Sequence, residues 1–371
     1  MGILAKYAIL TARNRAEDPK LLYAMSKFLF MKKQPTPLDS SDNFLTPKIT
    51  PCVQLTHPLF DKYKVQVWVK LDYLNHPEIQ GNKLHKLKYN LLDAVERGAE
   101  QLITFGGAYS NHIAATAAAA NEIGLPVTGV IRGQELEQHP EKWSHTLKHA
   151  QQNGMQFLFI SRKNYRLKQQ APQVIQWLKQ HPKSFVIPEG GSNDLAIKGF
   201  DEMCAQITQQ MPDWTHLYCP VGTGGTLAGL IANCRHPKNI QISPAGQKRL
   251  PTVLKNIIGI AVLNEADYLR KDIQSWIETF ENKRENKIEN NNKIKIDWQL
   301  ITDAAGGGYG KTSNYLKSFQ KRFEQTFNLP LDPIYTAKLF HGIYKQIVQK
   351  KLPAGSKVLV LHTGGLQGNE K

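Results

Sequence analysis

Residues 217–226 read Leu217-Tyr218-Cys219-Pro220-Val221-Gly222-Thr223-Gly224-Gly225-Thr226, and an apolar segment, 227–233, follows them. The first five residues make a short apolar run with the look of a buried strand, and 227–233 has the look of the helix behind it. The glycines between them let successive backbone N–H groups turn toward one point, where the helix N-terminus adds partial positive charge. With the hydroxyls of Thr223 and Thr226, the turn can cradle a phosphate. An ordinary tight strand-to-helix turn has the same look, so the motif alone favours phosphate only modestly. It is not a Walker loop, since no Lys-Ser/Thr follows at the right spacing, and it lacks the later acid of a dinucleotide fingerprint.

Outward from this stretch the same alternation recurs. A β-branched run at 65–69 precedes helical spacing at Leu84, Leu87, Leu91 and Val95. Strands are expected at 102–105, 127–131, 157–160 and 185–187, with helices at 110–123, 143–152 and 174–180 between them. Ser110 is placed to cap the helix at 110–123 and Gly124 to end it. Further strands are expected at 257–262 and 358–361. Strands separated by helix-length segments predict an α/β fold with mainly parallel sheets and helices on both faces. Ligands of such folds sit at the carboxyl ends of the strands. Gly106-Gly107, Gly190-Gly191, the 222–225 loop and Gly364-Gly365 all fall there. Residues 1–49 read as an N-terminal extension with an apolar patch at 21–30, and the polar 281–296 segment reads as a surface loop.

The composition suits a globular chain: 371 residues, 41% hydrophobic and 21% charged. No apolar run approaches the roughly 20 residues of a membrane helix, and no secretory signal is read at the N-terminus. The four cysteines, Cys52, Cys204, Cys219 and Cys234, contain no CxxC pair. That spacing leads us to expect reduced thiols, a cytoplasmic protein and no metal site. Basic residues exceed acidic ones by 47 − 31 = 16. Binding to nucleic acid or an anionic membrane is one reading of that excess. Its even spread and the lack of any nucleic-acid motif favour a solvated lysine-rich surface.

Two further motifs carry chemistry. Gly81-Asn82-Lys83 lies just before a helix start, where a lysine could form an imine with an aldehyde cofactor. Alone, Lys83 is one of 47 basic residues. After the next strand, Gly106-Gly107-Ala108-Tyr109-Ser110-Asn111-His112 offers helix-terminal amides with hydroxyl, amide and imidazole groups, a receptor sized for a carboxylate.

In order along the chain, GNKLHKL, GGAYSNH, PEGGSN, GTGGTLAG, LDPIYTAK and LHTGG resemble motifs of the 1-aminocyclopropane-1-carboxylate (ACC) deaminase and D-cysteine desulfhydrase family, fold-type II enzymes that use pyridoxal 5'-phosphate (PLP). The match covers about residues 50–368, and six motifs in register are specific where any one is weak. The resemblance implies two tryptophan synthase β-like domains, each a mainly parallel sheet flanked by helices. Residues 50–85 and 189–371 would form the larger, PLP-binding one, and 86–188 a smaller mobile one. It implies that Lys83 is the Schiff-base lysine and that Asn82 and Asn111 lie near the cofactor, Asn111 beside its phenolate oxygen. Ser110, Asn111 and His112 match the substrate-carboxylate turn, with Ser110 also among the catalytic residues. Gly222, Thr223, Gly224, Gly225 and Thr226 match the phosphate loop. Tyr309 and Tyr335 match two active-site tyrosines, and Thr363 the group at the pyridine nitrogen.

The sequence also departs from the family. ACC deaminases carry glutamate after the second tyrosine; here it is Thr336. His85 replaces a common arginine, and 235–255 and 281–295 differ from the usual connections. A hydroxyl at the ring nitrogen makes a weaker electron sink than a carboxylate would, suited to a good leaving group such as thiolate. The resemblance thus implies elimination from a small amino acid, D-cysteine foremost, to pyruvate, ammonia and sulfide. ACC deamination is the alternative, and a non-catalytic, basic nucleic-acid-binding protein on the same scaffold is the reading from another class. A homodimer is expected from the family.

Overall fold

Val67 and Val69 alternate inward along a strand that pairs with 357–361, which pairs in turn with 216–221, and both of these are almost wholly apolar, as buried parallel strands require. The computed structural model describes residues 45–236, 254–285 and 294–368. The patch at 21–30, most of the 235–255 stretch and the middle of the 281–296 segment lie outside the described residues. In chain order the strands are β1 (Cys52–Leu55), β2 (Gln66–Lys70), β3 (Gln101–Gly107), β4 (Val127–Arg132), β5 (Gln156–Ile160), β6 (Ser184–Ile187), β7 (His216–Val221), β8 (Lys255–Ala261), β9 (Ile296–Ile301) and β10 (Lys357–Leu361). The longer helices are α1 (Asn82–Glu96), α2 (Asn111–Ile123), α3 (His145–Gln152), α4 (Pro172–Gln180), α5 (Asp201–Gln210), α6 (Gly225–Cys234), α7 (Leu269–Glu285), α8 (Asn314–Phe327) and α9 (Thr336–Val348).

The strands form two sheets. One has six strands in the order β1-β2-β10-β7-β8-β9, the other four in the order β5-β4-β3-β6. Every pairing is parallel except β1 with β2. This is the expected α/β architecture, with the core in the layers between sheets and helices. Parallel pairing forces a crossover between neighbours, and the helices supply it.

Local signals explain the helix boundaries. Ser110 accepts a hydrogen bond from the Ile113 amide at 3.4 Å, and Gly124 closes α2 in the left-handed conformation. Leu84, Leu87, Leu91 and Ala94 are the buried stripe of α1, while Val95 is only half-buried. Helix α1 begins at Asn82, so Lys83 sits inside its first turn rather than before it. Gly81, at φ +59°, turns the chain into the helix.

Strands β1 and β9 form the two edges of the larger sheet, and neither was legible in the sequence. Helices α5, α7, α8 and α9 escaped it as well. All four cysteines are free thiols. Among the described residues, no helix is long and apolar enough to cross a membrane.

Candidate active site

The four glycine segments do end strands, β3, β6, β7 and β10, and they converge on a cavity of about 410 Å³. Such a volume suits a small-molecule site. The first turns of α1, α2 and α6 also open onto it, so helix N-termini from both sheet systems aim partial positive charge inward. Of the residues singled out in the sequence, all but Gly225 line this cavity. Gly225 starts α6 behind the loop.

Lys83 is half-buried and faces the cavity. Its Nζ donates to Asn82 Oδ1 at 3.2 Å. Burial lowers its pKa to about 8, and the charge of Asp332 offsets part of that fall. Asn82 Nδ2 in turn donates to Thr226 Oγ1 at 2.7 Å, tying the start of α1 to the start of α6. The turn carrying Lys83 is gripped by Asn75, which accepts from the Gly81 amide at 2.9 Å and donates to its carbonyl at 3.0 Å. It also touches the chain after β10 directly: a Cβ on Gly81 would lie 2.2 Å from the Thr363 carbonyl oxygen.

The glycine loop after β7 has a second wall. Lys86, one helical turn after Lys83, is buried and donates to the Gly190 carbonyl at 2.8 Å and to Ser192 Oγ at 2.9 Å. Ser192 Oγ lies 2.7 Å from Thr223 Oγ1. A Cβ on Gly225 would fall 2.5 Å from that serine oxygen and 3.1 Å from Lys86 Nζ. Burial pushes the Lys86 pKa well below its usual value, and the charge of Lys83 pushes the same way. Hydroxyls, the amides at a helix N-terminus and a lysine that pairs with no carboxylate among the described residues are the donor set a phosphate dianion needs. Lys86 and Ser192 were not recognised in the sequence. For Lys86 the available signal was its spacing of three from Lys83, which puts both on one side of α1.

On the opposite wall Tyr309 and Tyr335 meet edge to face, their ring centroids 6.3 Å apart. Burial raises the Tyr309 pKa to about 12 and that of Tyr335 well above the usual phenol value. Buried Lys338 holds the Tyr309 loop, donating to the Gly308 carbonyl at 2.6 Å and to the Val262 carbonyl at 3.2 Å. Asp332 caps α9, accepting from the amides of Thr336 at 2.7 Å and Tyr335 at 3.0 Å, and burial raises its pKa to about 6. The Thr336 hydroxyl is 3.0 Å from Asp332 Oδ1 in the same cap and is fully buried. Thr363 lines the cavity just past β10.

At the start of α2, its cap Ser110 and its first residues Asn111 and His112 come together. Asn111 Oδ1 accepts from Gln367 Nε2 at 3.0 Å. His112 Nε2 lies 2.7 Å from Thr104 Oγ1, and burial, with Lys83 and Lys86 nearby, keeps its pKa well below the usual value, so the ring is neutral. His85 faces elsewhere, hydrogen-bonded to Asp72 at 3.3 Å and stacked on Phe200.

The family model for pyridoxal-phosphate dependent enzymes matches residues 44–364, which takes in every one of these side chains except Gln367. The chain belongs to that family. As a PLP-dependent enzyme it has the two sheets of fold type II. It is similar to a crystal structure of an ACC deaminase homologue, with a TM-score of 0.71 and 26% identity, covering 95% of this chain and 96% of that one. It is 30% identical over 316 residues to a putative ACC deaminase of Pyrococcus abyssi, covering 82% of this chain and 86% of the relative. It is 28% identical to a D-cysteine desulfhydrase of Klebsiella pneumoniae, covering 83% and 89% respectively. For a PLP-dependent enzyme the cavity is well matched: a lysine of lowered pKa at one end and a phosphate cradle of hydroxyls, backbone amides and a buried lysine at the other.

Proposed function

We propose that this enzyme catalyses α,β-elimination from a small amino acid with a good β-leaving group, D-cysteine foremost, giving pyruvate, ammonia and sulfide. One observation carries the reading. Lys83, with its pKa lowered to about 8, shares a single cavity with the Lys86 cradle and with the start of α2.

Lys83 is the amine that would hold the cofactor's aldehyde, while Lys86, Ser192, Thr223, Thr226 and the amides of the 222–225 loop would hold its phosphate. Asn82 and Asn111 would flank it and Thr363 would face its ring nitrogen. When bound, PLP supplies an electron sink for the pair left at the substrate's Cα. The free amides at the start of α2, with Ser110 and Asn111, receive the substrate carboxylate. The α-proton goes to Lys83 Nζ. With Tyr309 raised to about 12 and Tyr335 raised well above the usual phenol value, both keep their protons at neutral pH, whereas an amine near 8 is partly free to accept one. The tyrosines serve as donors at the leaving group or the cofactor.

The desulfhydrase reading draws on Thr336 and Thr363. Thr336 is spent in the α9 cap, and a hydroxyl at the ring nitrogen suits thiolate departure better than opening of a cyclopropane. ACC deamination stays as the second reading because the Pyrococcus relative and the structural neighbour are named for it. We further propose that residues 86–188 close over 50–85 and 189–371 on substrate, since the cavity draws walls from both sheets, and that the enzyme works as a homodimer. The test is a screen of D- and L-cysteine and ACC for keto-acid and ammonia release, with Lys83→Ala as control. Equal rates from wild type and Lys83→Ala would overturn the proposal, and turnover of ACC alone would replace it by the second reading.

A further inference from the structure

Arg132 is the last residue of β4, and its side chain lines the cavity. It stands opposite Gly107 in the β3–β4 ladder, and a Cβ on Gly107 would lie 3.5 Å from a guanidinium nitrogen. The guanidinium carbon is 5.8 Å from the ring centroids of both Tyr165 and Tyr309. The carboxylate best placed to neutralise it is already engaged: Glu189 accepts from the Tyr165 hydroxyl and from Lys168 Nζ, each at 2.6 Å. Asp272, the other carboxylate on the cavity wall, makes no ion pair with it. Arg132 donates no hydrogen bond to any described residue.

Counting the charges isolates it. Lys83, Lys86, Arg132 and Lys168 all line the cavity. Lys168 has Glu189. Lys86 answers the cofactor phosphate, Lys83 is the attachment amine, and the amides of α2 answer the substrate's α-carboxylate. Arg132 remains over, a planar five-donor fork held between two aromatic rings and suited to an oxyanion.

We infer that Arg132 reads a second negative charge carried on a substrate's β-substituent, so that amino acids with an oxyanionic β-group are also substrates and gain affinity through it. The inference rests on the elimination reading above. For a β-phosphate ester the balance is simple. The α-proton passes to Lys83, and the Cβ–O bond breaks with its electron pair leaving on phosphate. One water completes the conversion to pyruvate, ammonium and hydrogen phosphate. No oxidant or reductant enters.

The test compares O-phosphoserine with β-chloroalanine, whose β-substituent is neutral, in wild type, Arg132→Gln and Arg132→Lys. Arg132→Gln should lower kcat/KM for O-phosphoserine roughly 10- to 100-fold, the range of one charge-assisted hydrogen bond, and leave β-chloroalanine little changed. Arg132→Lys should restore part of the loss. A second readout needs no turnover: aspartate, titrated against the cofactor's visible band, should bind the wild type more tightly than alanine does, and Arg132→Gln should erase the difference. An equal loss on both substrates would assign Arg132 to the α-carboxylate and overturn the inference, as would no loss on either. Failure of the wild type to turn over any substrate would sink the elimination reading, and the aspartate titration would still decide the role of Arg132.

Discussion

Replacing Gly81 by alanine should separate the two halves of the cofactor site without unfolding the protein. Gly81 has φ +59° and ψ −135°, a region that costs an L-residue about 1–3 kcal/mol. The added Cβ would lie 2.2 Å from the Thr363 carbonyl oxygen and 2.4 Å from its carbon. A relaxed C···O contact is about 3.3 Å, so the Lys83 turn must retreat by roughly 1 Å. Both partners are backbone, so no side chain can swing away, and such overpacking costs a further 1–3 kcal/mol or so. The sum, about 2–6 kcal/mol, is less than or comparable to the stability of a typical domain. A displacement of about 1 Å between Lys83 and Thr363, if both act on the cofactor as proposed, is worth about 100-fold in rate. Gly98→Ala is the control. Its φ is +66°, but nothing lies within 4 Å of the added carbon, so it should lose only about 1–2 kcal/mol and keep its activity. Urea unfolding of both variants, with PLP affinity and kcat/KM on D-cysteine, reads the difference. If Gly81→Ala behaves like Gly98→Ala in all three, the close approach of the two segments carries none of the weight assigned to it.

Other expectations are shorter to state. Lys86→Gln should weaken PLP binding by roughly 10- to 100-fold, the effect of losing one charged hydrogen-bond donor, as measured by cofactor release on dialysis. Since burial lowers the Lys86 pKa, phosphate should draw a proton onto it, and calorimetry in buffers of differing ionisation enthalpy should register uptake on binding. Lys338→Met should lower kcat about tenfold or more by freeing the Tyr309 loop. PLP affinity should hold, because Lys338 touches no part of the cradle; a fall in both together would argue against this positioning role. His362, buried and hydrogen-bonded to the Pro330 carbonyl at 2.7 Å, has its pKa lowered to about 4 from 6.5. Below pH 6.5 the unfolded chain takes a proton that the folded one refuses, so stability is lost as pH falls from 6.5 toward 4. The loss is up to about 3 kcal/mol, and His112 adds in the same direction. Urea midpoints at pH 7 and pH 4.5 check this, and His362→Asn should flatten the dependence.

The sequence was legible where local rules and tertiary structure agreed. The Ser110 cap, the Gly124 stop and the strand–glycine–helix unit at 217–233 stood where the pattern placed them. Strand β1 was missed because Cys52–Leu55 is short, only partly buried and antiparallel at an edge, so it carries no apolar run. Strand β9 was missed because Ile296–Ile301 mixes Asp and Gln into an edge with one side covered. In the cavity, the residues whose chemistry shows in their own side chain or turn, Lys83, Ser110 and the 222–226 loop, were singled out from the sequence and line it. Those whose meaning depends on a partner far along the chain were not: Lys86 needs Ser192, and Arg132 needs Tyr309 and a carboxylate already taken. Asp332 and Lys338 lay inside LDPIYTAK yet went unread, since one caps α9 and the other grips a loop about thirty residues upstream.

The position of β10 in the larger sheet has a consequence for biosynthesis. β10 sits between β2 and β7, so the strand that leads to Lys83 has no parallel neighbour until residue 361 has left the ribosome. The four-stranded sheet is built from the unbroken span 101–187 and can collapse while translation continues. Until then the nascent chain carries apolar strand edges unpaired, and there chaperone capture and aggregation compete with folding.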